Sequence, residues 1–149
     1  MPGAAPNITD YTTFLYNVVG IPEANLPGTA PIIATSLQIA QDIVSFAILR
    51  ASADLYTLAV YNLAADRLLN YAPDVPNQTW FRDQRVKMRL LELSVGVPTS
   101  VSDGGTSVGV LNPEALKNLT LANLQMLKTP TGRAYLEIAQ AYGTVWGVS

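Results

Sequence analysis

The chain contains no cysteine and no histidine. Without cysteine there is no disulfide to stabilise it and no thiolate to act as nucleophile or ligand. The lack of both residues excludes Cys/His zinc sites, haem held by His or Cys, iron–sulfur clusters and catalysis by imidazole. Hard metals held by carboxylates stay open, but no cofactor is expected. Charge is scarce as well. Asp, Glu, Lys and Arg make up 13% of the 149 residues, about half the share of an ordinary soluble domain. A surface so thin in charge suggests that partners cover part of it. The balance is −2, which argues against a dedicated nucleic-acid binder, for which a basic domain is expected. The opening MPGAAPNITD has neither the basic nor the apolar run of a signal peptide. The sequons at Asn7, Asn77 and Asn118 are therefore expected to be chance matches.

Apolar residues are plentiful, at 49%. The length is that of one domain spanning residues 1–149, enough to bury one core. The stretch Pro31 to Ala72 organises it, as two long helices with a break near Ser52. Proline suits the first turn of the earlier one, where its missing N–H would be unpaired anyway. Thr35, Gln38, Gln41, Asp42 and Ser45 fall in one narrow stripe of that helix, which predicts burial on most sides. Gln38, Gln41 and Asp42 also make it a poor membrane span, so no membrane partner is expected. Ser52 can cap the next helix. Its polar residues, Asp54 and Asp66 among them, scatter around the wheel, which favours a central position in the fold. Pro73 and Pro76 end it.

Around this pair the chain predicts shorter pieces. A helix capped by Thr9 or Asp10 runs to about Val19, with Tyr11, Phe14, Leu15 and Val18 as its apolar set and Gly20 as its stop. Thr79 can cap a helix over Trp80 to Leu93, with Val86, Leu90 and Leu93 inward and Arg82, Arg85 and Arg89 on the opposite face. Alternating Val, Thr and Ser around Asp103-Gly104-Gly105 predict a β-hairpin, about 95–102 and 106–111. It holds few large apolar residues and is expected to project, presenting Val101, Asp103, Gly104, Gly105 and Val108 to a neighbour. A helix from Asn112 to about Met126 and another from Thr129-Pro130 to Gly143 follow. The fold class is thus mainly α: a small bundle of about five to six helices with one projecting hairpin and an extended C-terminal tail.

Catalytic residues are not expected. Asp83 and Glu92 flank arginines as surface ion pairs would. The Asp103-Gly104-Gly105 turn lacks the helix and lysine of a phosphate loop. The cluster Arg82, Arg85, Lys87 and Arg89 fits a solvated or salt-bridged helix face, an intersubunit ion-pair face or a DNA-backbone contact. Tyr135 and Tyr142, seven residues apart, can pack on the core. Val145, Trp146 and Val148 lie past the last helix, and with Tyr142 they form a candidate docking tail, since a tryptophan desolvates a large area at an interface.

The order of pieces is informative: DYTTFLYNVVGIP, a Pro/Gly loop, helices with IAQDIV and LYTLAVYNLAADRLLNYAP, the hairpin, then TPTGRAYLEIAQAYG and an apolar VWG ending. This layout resembles the small head–tail connector proteins of tailed bacteriophages, also called adaptor or head-completion proteins. The likeness spans nearly the whole chain and rests mostly on LYTLAVYNLAADRLLN and GRAYLEIAQAYG, neither of them a mechanistic motif. It implies a structural virion protein, assembled in the host cytoplasm as a homo-oligomeric ring, commonly of twelve copies. Such a ring sits between the portal protein and the tail or nozzle proteins at the head–tail interface, and DNA passes through its lumen without sequence readout. The tail from Gly143 to Ser149 would reach toward the portal. Another phage structural protein (tail-completion or capsid-associated) and a free-standing helical binding module are the alternatives.

Overall fold

The computed structural model of the chain describes residues 5–92, 100–103, 106–109 and 121–142. These residues form seven α-helical segments, one π turn and one pair of short strands, so the protein is mainly helical. In order they are α1 (Ile8–Phe14), the π turn (Leu15–Val19), α2 (Pro31–Ile43), α3 (Phe46–Ala51), α4 (Ala53–Tyr71), α5 (Trp80–Lys87), β1 (Ser100–Asp103), β2 (Thr106–Gly109), α6 (Leu121–Met126) and α7 (Pro130–Tyr142).

The axis of the fold is α4. It packs against α2, α3, α5 and α7, and an unbroken run from Ala59 to Asp66 is buried. The scattered polar residues of this helix thus mark a central element. Ser52 begins it as expected, its Oγ accepting the Leu55 N–H at 3.3 Å. Arg85 helps close the other end: its Nε donates to the Leu69 carbonyl at 3.0 Å and its Nη2 to that of Ala72, two acceptors a helix C-terminus leaves unpaired.

The helix leading into α4 is shorter than its pattern implies. It stops at Ile43, Val44 turns extended, and Ser45 caps a separate α3 by accepting the Ala47 N–H at 3.2 Å. A serine side chain competes with the helical ladder for backbone groups, and here it starts a new helix. The expected burial of α2 on most sides is corrected too. It buries a single stripe of Ile33, Ser36, Leu37 and Ala40, while Ile39 and Ile43 face outward.

Two caps differ from expectation. The first helix is capped by Asn7, one turn ahead of Asp10, with Asn7 Oδ1 accepting the Asp10 N–H at 2.9 Å. Tyr61 Oη bonds both backbone groups of Asn7, at 3.1 and 3.2 Å, and ties this end to α4. The last turn before Gly20 is π-helical, and Gly20 closes it at φ 81°. The wider turn rotates Val18 outward, to 69% exposure, and brings Val19 against the core in its place. At α5, Thr79 makes no cap and donates to Asp83 instead. Asp74 does the work from seven residues back, its carboxylate accepting the N–H groups of Phe81 (2.8 Å) and Arg82 (3.1 Å).

The inner face of α5 also needs correction. Its anchor is Phe81, fully buried, while Val86 is 62% exposed. The helix ends at Lys87, and Arg89 takes a left-handed conformation (φ 54°) that swings Leu90 into the core. Of the segment expected to be a hairpin, β1 and β2 pair antiparallel, with Ser100 opposite Gly109 and Asp103 opposite Thr106. Residues 95–99, 104, 105, 110 and 111 lie outside the described residues, as does the first part of the helix expected from Asn112.

Candidate functional site

Two surface features and one buried node stand out. The first is an apolar ridge. Ile39 and Ile43 lie one turn apart on α2, and Phe46 and Leu49 one turn apart on α3. All four are large and exposed, Phe46 most of all at 65%. Tyr56 joins the two helices: its ring stacks on Phe46 (centroids 6.1 Å apart, planes at 12°) and its hydroxyl donates to the Gln41 carbonyl at 3.4 Å. Burial raises the Tyr56 hydroxyl's pKa above the ordinary range, and the Asp42 charge nearby pushes the same way. Asp42 is exposed beside the ridge and takes a hydrogen bond from Gln38 Nε2 at 3.2 Å.

The second feature is a half-open cleft of about 350 Å³ at the other end of α4. Val19, Leu69, Trp80 and Met88 contribute its apolar wall. Lys87, Lys128 and Arg133 stand around it, and none of its lining residues is acidic. Lys128 is held in place by donating to the carbonyls of Arg89 (3.0 Å) and Glu92, and Arg133 by donating to that of Leu127 (2.9 Å).

The buried node joins α4 to α7. Asp66 is 4% exposed and accepts a hydrogen bond from Thr129 Oγ1. Thr129 in turn caps α7, its Oγ1 accepting the Gly132 N–H at 2.9 Å. Desolvation lifts the Asp66 carboxyl to about 6, opposed by the Thr129 hydrogen bond and by the Arg67 charge. Arg67 Nε is itself buried without a hydrogen-bond partner. A side chain at Gly132 would overlap the Met126 carbonyl oxygen and stand 2.7 Å from Thr129 Oγ1 and 2.8 Å from Asp66 Oδ1. Only glycine lets α7 approach this closely.

The residues singled out from the sequence are spread apart. Arg82, Arg85 and Arg89 do not form one face. Arg82 is exposed, and Arg85 is spent within the chain on α4 carbonyls, with its guanidinium 5.9 Å from the Phe81 ring centroid. Arg89 lies beyond the helix, 4.0 Å from Glu92 in an exposed pair worth little. Arg85 is thus engaged within the chain, and of the three only Arg82 and Arg89 stand exposed. Of the tyrosines, Tyr135 packs against the core, whereas Tyr142 ends α7 at 48% exposure. Val145, Trp146 and Val148 lie outside the described residues. So do Gly104 and Gly105, while Val101 pairs with Val108 and Asp103 with Thr106 in the strand ladder.

Sequence reasoning missed the ridge, the cleft and the node. Asp66 and Thr129-Pro130-Thr131-Gly132 carried a signal, an acidic residue in an apolar run and a glycine inside a helix. Among the described residues no group of three or more acidic side chains could hold a metal ion. None of the described helices is long and apolar enough to cross a membrane. Comparison of the chain with protein-family models, with curated proteins and with solved structures finds no match.

Proposed function

We propose that this chain is a structural assembly protein, a head–tail connector subunit that joins copies of itself in a ring between the portal and the tail of a phage particle. The observation that carries the reading is the ridge of Ile39, Ile43, Phe46 and Leu49. Each of these side chains is only partly withdrawn from water, and covering the rest contributes on the order of 1 kcal/mol apiece. On a chain with 13% charge, such a ridge supports a face meant to be covered by protein. The order of helices and the apolar VWG ending, which resemble the head–tail connectors, direct that general reading to the virion. A lumen that passes DNA should not grip it, and a net charge of −2 suits that role.

The test is the assembly state of the full chain, alone and mixed with the portal protein of its own particle, by light scattering and electron microscopy. Closed rings on the portal are expected. Removing residues 143–149 should abolish portal binding while helicity is kept. A chain that stays monomeric in both settings refutes the connector reading, and a complex that stops at two copies favours a helical binding module.

A further inference from the structure

The ridge and the cleft are complementary, and they sit at opposite ends of α4. Tyr56, which carries Phe46, and Leu69, which lines the cleft, are thirteen residues apart on that helix, or about 20 Å along its axis. We propose that the ridge of one copy inserts into the cleft of the next, with Phe46 and Ile43 against the wall of Val19, Leu69 and Trp80. This rests on the assembly reading above and supplies its contact.

Charge and shape carry the assignment to a second copy. Three cations surround the cleft and no carboxylate lines it. Lys128 uses two of its donors on carbonyls, which leaves a third, and Arg133 spends one of five. The ridge brings the matching sign: Asp42 stands beside Ile43, and Asp54 is exposed at the start of α4, against the single cation Arg50 in the last turn of α3. The cleft volume is at the small end of the range for pockets that bury a ligand, roughly 300–1,000 Å³. That suits one aromatic and one branched side chain better than a whole helix. Because the two patches differ and lie apart, the contact is head-to-tail. Such an interface repeats from copy to copy and closes into a ring when its rotation allows, whereas a ridge-to-ridge contact stops at a dimer.

The absence of cysteine makes a clean test possible. Ala47→Cys and Gln84→Cys place one thiol beside Phe46, which stays in place, and one on the cleft lining of otherwise cysteine-free full chains. A disulfide forms only where Cα atoms come within about 7 Å. The two variants are mixed, alone and on the portal, and mildly oxidised. The expected result is a dimer joining one copy of each variant, formed at least tenfold faster than either variant's own dimer. As a second measurement, Asp42→Lys and Lys87→Glu should each weaken self-association about tenfold. Mixing them should restore it, since in an alternating ring every contact then pairs opposite charges. An Ala47→Cys self-dimer that dominates overturns the proposal in favour of a ridge-to-ridge contact. Assembly that proceeds without the mixed bond overturns the docking mode and leaves the connector reading standing. No assembly, alone or on the portal, overturns both.

Discussion

Replacing Asp66 by asparagine removes a buried carboxyl but keeps an oxygen for Thr129 to bond. The fold holds the Asp66 pKa at about 6, against 3.8 ordinarily, mainly by desolvation. At pH below 4 the group is protonated in both folded and unfolded chains, and its contribution to stability is fully present. Between 4 and 6 the unfolded chain has released its proton while the folded chain still holds it, so stability falls as pH rises. Above 6 the loss is complete. A shift of about two units corresponds to roughly 3 kcal/mol, a large fraction of the 5–15 kcal/mol typical of a domain. Urea unfolding of both proteins, followed by circular dichroism at pH 4, 5, 6 and 7, gives the difference in stability at each pH. Other titrating groups cancel in that difference. Asp66→Asn should gain on the native protein by about 3 kcal/mol between pH 4 and 7, whatever the constant offset between them. A difference that stays flat, or that moves the other way, would refute the assignment of a desolvated carboxyl to Asp66. Low micromolar protein is needed, because the isoelectric point near 4.9 falls inside the window.

Three other outcomes follow from the packing. Gly132→Ala forces a methyl into a carbonyl oxygen, so thermal unfolding should show a loss of about 2 kcal/mol or more despite alanine's better helix propensity. Arg85→Met keeps an apolar stem but removes two charged hydrogen bonds at the end of α4; chemical denaturation should show a loss of about 2 kcal/mol. Phe46→Ser removes a largely exposed ring stacked on Tyr56, so it should cost the monomer only about 1 kcal/mol, while sedimentation shows assembly lost.

Local signals served well where the partner of a group is near in sequence. Ser52 caps α4 through Leu55, and Gly20 closes the first helical segment in a left-handed conformation. They failed where the partner is farther along the chain. Thr79 looked like the cap of α5, yet Asp74 reaches the N-terminus from the preceding loop. Arg85 shared a drawn face with Arg82 and Arg89, but a helical wheel has no way to show the carbonyls of another helix within reach. Val18 fitted the apolar stripe until the π turn rotated it outward.

The sequence by itself determines the helical class, the central place of α4 and the lack of thiol and imidazole chemistry. These follow from composition and periodicity, which act on each segment separately. The tertiary structure alone decides which polar residues are enclosed and which apolar ones are left out. Asp66 is buried because α7 closes over it at Gly132, and Phe46 is exposed because Ser45 breaks the helix and turns α3 aside. An apolar stripe looks the same in sequence whether its own fold or a neighbouring copy will cover it, since the hydrophobic effect has no direction of its own. Only the packed chain separates the two cases, and here it leaves the ridge on α2 and α3 uncovered.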